Sequence, residues 1–156
     1  MPNWFYICIN GLYLSGLAIW FGGGVLMTVL SGPELFRAYP QHEASLLSAA
    51  MLHRFAKLRV VALLLMIAGA GVKFLIWERN ELAPWMAVRW GAIVLMAWAL
   101  VVELRRHRLL HVLGSTFPAA LPSDDPLRAL FDVHRIGVEG LMRASLLAAF
   151  IALLFS

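Results

Sequence analysis

The chain has 156 residues, of which 62% are hydrophobic and 14% charged, against about 25% charged in ordinary soluble domains. Its formal net charge of +4 and pI near 9.8 do not read as nucleic-acid binding. Lys and Arg gather at the ends of apolar segments, where they set topology and meet anionic lipid headgroups. The single cysteine, Cys8, excludes an internal disulfide and a thiolate-rich metal site within one chain.

Four stretches are each long and apolar enough to cross a bilayer, since roughly 20 apolar helical residues span a hydrocarbon core about 30 Å thick. They cover residues 5–30, 58–77, 84–104 and 136–155. The first is not read as a signal peptide. No Lys or Arg precedes Arg37, and the apolar run is too long for an h-region. It carries Gly11, Gly16 and the run Gly22, Gly23, Gly24. Ala18 and Gly22, with Gly23 beside them, make a small-xxx-small pair suited to close helix packing. The alternative use of that face is a slot for a cofactor or lipid. Pro33, which cannot donate a backbone hydrogen bond, is expected to end the helix.

Residues 41–55 are too short and polar to span. Leu46, Leu47, Ala50 and Met51 recur at helical spacing, with Leu52 and Phe55 extending the stripe, so a short interfacial amphipathic helix is expected between helices one and two. Helices two and three are joined by the short link of residues 78–81 and should form an antiparallel hairpin. Pro84 suits a first helical turn. Helix three is expected to continue beyond the span to about residue 113, and the proline-rich stretch 115–126 reads as a loop. Ser123, Asp124 or Asp125 can cap a last helix starting near residue 127, with Pro126 close to its first position.

Basic residues are unevenly shared. Arg37, Arg54, Lys57 and Arg59 lie around the connection between helices one and two. Arg105, Arg106, Arg108, Arg128 and Arg135 lie around that between three and four. The opposite side offers Arg79, with Lys73 and Arg89 just inside its flanks. The positive-inside rule places both long connections in the cytoplasm and both termini outside, and Trp4, Trp77 and Trp85 would form the outer aromatic belt.

The last helix carries the most suggestive charges. Arg128, Asp132, Arg135, Glu139 and Arg143 follow one another at spacings of three or four and share one face with alternating sign. Glu139 and Arg143 fall inside the apolar span, where an ionisable group costs several kcal/mol unless paired or hydrated. They read as a structural pair, completed if need be by Glu103 or Arg59 on neighbouring helices. The functional alternatives are a polar path and a docking surface for another membrane subunit. His53 and His134 are weak candidates for ligating a b-type haem. His107 and His111 share a helical face, but Arg106 and Arg108 beside them oppose a metal cation. There is no phosphate loop, GxSxG, HExxH, CxxC or dinucleotide fingerprint. No enzyme activity, cofactor or resident metal is expected.

Three elements together resemble a known family: residues 18–23 (Ala18, Ile19, Trp20, Phe21, Gly22, Gly23), residues 32–37 (Gly32, Pro33, Glu34, Leu35, Phe36, Arg37) and residues 52–58 before helix two. The likeness is to the transmembrane-protein-205-like family, also catalogued as domain of unknown function 4149. Members share a W-x-G first helix and a following (A/G)-P-x-L-F-x-x-x-P element. They also share an acidic-basic patch after helix three, here Glu103, Leu104 and Arg105, and an aromatic-x-x-His entry to helix four, here Phe131 to His134. The chain departs from the pattern at Glu139, Gly140 and Arg143, where the family tends to have small and amide residues. The resemblance implies a four-helix integral membrane protein and supplies no catalytic residues. The chain also resembles copper-resistance D-type membrane domains in size and helix count, without their inner-span histidines.

The expectation is therefore an all-α, four-transmembrane-helix bundle, one domain over residues 1–156, in a bacterial inner membrane. It acts as a non-catalytic accessory component through helix–helix contacts, or by self-association. The rival reading is transport of a small solute or metal ion along a path at Glu139 and Arg143, flanked by Arg135, Asp132 and Glu103.

Overall fold

The structure, a computed structural model, describes residues 3–39, 41–78, 83–116 and 126–154. Almost every one of these is helical, for a physical reason. Hydrocarbon offers no water to backbone N–H and C=O groups, so each must be satisfied within its own segment. Helix α1 covers Asn3–Val25, α2 Gly32–Ala38, α3 Gln41–Lys73, α4 Pro84–Thr116 and α5 Pro126–Leu154. Four segments are long and apolar enough to span: Asn3–Val29, Ala50–Glu78, Pro84–Arg106 and Ile136–Leu154.

Two ends are wound more loosely. Beyond Val25 the chain does not stop but widens into a π-helical stretch, Leu26–Ser31, that runs into α2. Pro33, just beyond this stretch, has no N–H to give to a helical turn. The Thr28 hydroxyl donates back to the Gly24 carbonyl at 2.8 Å. A second π-helical stretch, Phe74–Glu78, closes α3.

The expected interfacial helix is not a separate element. Residues 41–55 are the first turns of α3, which runs unbroken to Lys73. No Gly or Pro lies between residues 41 and 68, so nothing in the chain asks for a break at the membrane surface. Helix α4 extends past its span to Thr116, and Pro126 opens α5, both as expected. The link 79–82 and most of the proline-rich loop, with Ser123, Asp124 and Asp125, lie outside the described residues.

Sequential helices pack antiparallel, and small residues set how close they come. A β-carbon at Gly16 would lie 2.6 Å from the Ala62 carbonyl oxygen, and one at Gly69 would lie 2.8 Å from Tyr13. Side chains at Gly23 and Gly24 would run into Phe55 and Leu146. The packing face of α1 is thus Tyr13, Gly16, Leu17, Trp20 and Gly24. That corrects the expectation for Ala18 and Gly22. Both are exposed on the opposite side of α1, and nothing lies within 4 Å of a β-carbon built at Gly22. Of the three expected packing residues, Gly23 alone meets another helix of this chain.

The molecule is sorted as lipid solvent demands. Large apolar side chains such as Ile7, Leu64, Val94, Trp98, Leu147 and Leu154 face outward. The buried set contains Arg59, Lys73, Arg89, Glu103 and Ser145.

Candidate functional site

The buried ionisable residues follow a seven-residue rhythm. On α3 they are Arg59 and Lys73 with Met66 between them; on α4 they are Arg89 and Glu103 with Met96 between them. A seven-residue step returns a helix to nearly the same face, so each helix turns one cationic, apolar and ionisable stripe inward. Fourteen residues correspond to about 21 Å of rise. The stripes therefore build two polar layers, one toward each end of the span. Between them lies an apolar core that includes Leu17, Met66, Ile93, Met96 and Ala149.

One layer lies toward the basic long connections. There the Arg59 guanidinium joins four helices. It lies on α3, and its Nη1 donates to the Glu103 carboxylate on α4. Its Nη2 donates to Ser145 Oγ on α5 at 2.7 Å, and that hydroxyl donates on to the Met142 carbonyl at 2.8 Å. The cation also stacks on the indole of Trp20 from α1, 4.2 Å from the ring centroid, with the Phe55 ring at 5.9 Å. Both ionic side chains are 1% exposed. At such burial neither charge is tolerable alone, and a planar fork of donors is what lets one cation serve a carboxylate and a hydroxyl together. Arg106, one turn beyond Glu103, lays its guanidinium over Gly137, in space that any side chain there would occupy.

The other layer lies near the chain termini. Arg89 grips Glu78 with both terminal nitrogens, the bond to Oε1 being 3.0 Å, and Trp85 lies 5.1 Å from the guanidinium carbon. The Lys73 ammonium donates to Asn10 Oδ1 at 3.0 Å and sits over the rings of Tyr6 and Tyr13 at 5.5 and 5.7 Å. The Tyr13 hydroxyl donates to the Ala152 carbonyl at 3.2 Å, tying α1 to α5. Phe5 and Tyr6 meet Trp77 at 5.9 and 5.2 Å, so aromatic rings collar this end.

The expected site residues fare unevenly. Glu103 is buried and paired with Arg59 on α3. Arg143 is exposed on the outer face of α5, as are Ile136, Gly140 and Leu147. His53 is exposed. The side chains of Asp132, His134, Arg135, Glu139, His107 and His111 lie outside the described residues. Among the described residues no three of His, Cys, Asp and Glu are grouped to hold a metal ion. Lys73 and Arg89, read from sequence as charges that orient the protein, prove to be core residues. Their seven-residue spacing from Met66 and Met96 was the available signal.

Residues 15–119 match the family model described as Domain of unknown function (DUF4149). That is more than half of the chain, and the protein belongs to this family. The match spans Trp20, Phe55, Arg59, Lys73, Glu78, Arg89 and Glu103, while Ser145 and Arg143 lie beyond it. The transmembrane-protein-205 label rests on the short motifs alone. No curated protein and no solved structure matches the chain.

Proposed function

We propose that this DUF4149 protein is a non-catalytic component of a membrane assembly, held to its neighbour through the outward face of α5. The observation that carries this reading is Arg143, exposed within the Ile136–Leu154 span. A cation facing hydrocarbon is costly and calls for an acceptor, and among the described residues none meets Arg143. Gly140, one turn away, is exposed with open space beyond it, so another helix can approach closely there. We place the protein in a bacterial inner membrane with both termini on the non-cytoplasmic side, working without cofactor or metal.

The test is the size of the detergent-extracted or nanodisc-embedded particle, for the wild type and for Arg143→Gln. The wild type should run as a complex, with itself or another chain. The variant should run as a single chain with unchanged helicity and melting. A wild type that is already a lone chain, or a variant that keeps its partner, contradicts the reading. The rival is solute transport. A path through the bundle would follow the Arg59 and Lys73 stripe rather than Arg143, which faces outward. Flux into vesicles that is lost on substitution at Met66 or Met96 would favour it.

A further inference from the structure

The two polar layers differ in charge balance. Toward the basic end, Arg59 meets one carboxylate, Glu103. Toward the termini, among the described residues, two cations, Lys73 and Arg89, share the single carboxylate of Glu78, and that carboxylate is gripped by Arg89. Lys73 is 3% exposed, yet the oxygen it donates to belongs to the neutral amide of Asn10, and the rings of Tyr6 and Tyr13 lie beside it. An ammonium has three donors, so among the described residues two are left over. Arg89 is fully buried, and its Nε has no hydrogen-bond partner. The layer thus holds surplus positive charge and surplus donors in a setting where both are expensive.

Depth suggests what meets them. Lys73 lies five residues inside Glu78, and Arg89 five inside Pro84, which is about 7–8 Å of helix. That is within reach of the headgroup region, itself about 5–8 Å deep on each side. Tyr6, Trp77 and Trp85 rim the layer, residue types that settle at the headgroup level. We propose that this layer is an oxyanion site, which takes the phosphate group of an anionic phospholipid from the leaflet at the termini end. The phosphate supplies the missing negative charge and accepts from Lys73. The proposal is independent of the docking face on α5.

The test is the melting midpoint of the full-length protein in neutral detergent on adding phosphatidylglycerol, phosphatidylcholine or inorganic phosphate. Phosphatidylglycerol should raise the wild-type midpoint in a concentration-dependent way, by ~3 °C or more, and phosphatidylcholine should raise it far less. Lys73→Met should abolish the rise. Asn10→Asp builds a counter-charge into the site, so it should melt higher than wild type without lipid and then ignore phosphatidylglycerol. An equal rise with inorganic phosphate, absent in both variants, upholds the site and assigns it to the free anion. Glu81 falls outside the described residues, and Glu81→Gln should leave the lipid response intact. No rise with either anion, a rise that persists in Lys73→Met, or an Asn10→Asp protein that responds like wild type overturns the proposal.

Discussion

A lysine at position 59 would keep the charge of Arg59 and lose most of what the side chain does. The guanidinium reaches Glu103 and Ser145 with separate nitrogens while its plane rests on Trp20. An ammonium is a point donor with no flat face to stack. Arg59→Lys is therefore expected to destabilise the protein by about 2 kcal/mol, through the lost stacking and the lost hydrogen bond to Ser145. Ser145→Ala should cost less, about 1 kcal/mol, because Arg59 keeps its carboxylate. Thermal or denaturant unfolding in mixed micelles ranks the two, and equal or reversed losses would show that a point charge serves at this position as well as the guanidinium. Gly137 behaves differently. An alanine there displaces only the end of the flexible Arg106 side chain, so Gly137→Ala should be nearly silent in the same measurement.

At the scale of helices, the contrast between Gly16 and Gly22 shows how a stripe of small residues can mislead. Both are glycines in one apolar helix, six residues apart. A methyl group at Gly16 meets the backbone of Ala62, which cannot rotate away, whereas one at Gly22 meets nothing. Gly16→Ala should push α1 off α3 and lower the melting midpoint clearly. Gly22→Ala should leave it level or raise it, since alanine favours a helix interior by up to about 1 kcal/mol. A Gly22→Ala protein that melts lower would mean that the outer face of α1 is packed after all, against a partner. The number of spans and their rough limits were legible in the sequence, because hydropathy over 20 residues is a strong signal. Which glycine faces inward was not, because it depends on the rotation of α1 about its own axis. The seven-residue ladder of Arg59, Met66 and Lys73 encodes that rotation for α3, yet it reads as ordinary flanking charge unless compared with Arg89, Met96 and Glu103 on α4. The unbroken α3 has a similar lesson. The stripe at residues 46–55 is legible as a pattern in the sequence, but nothing in the chain ends the helix between it and the span.

The described residues form an apolar shell around two ionic layers, and the proposed orientation rests on the charges left outside that core. Arg54, Lys57 and Arg105 are exposed at one end, the end the positive-inside rule assigns to the cytoplasm. A reporter that is active only in the cytoplasm should stay silent when fused after the last residue, and a bright signal would reverse the orientation. The Arg59–Glu103 pair holds the bundle together, each side chain meeting the other's charge. A double-mutant cycle with Arg59→Met and Glu103→Leu, read as unfolding free energy in bicelles, tests it most directly. Each single change deprives a buried charge of this partner and should cost about 3–5 kcal/mol, whereas the double change should recover most of that loss. If the double variant instead loses the sum of the two singles, the residues are not energetically coupled, and the layer does not hold the helices together.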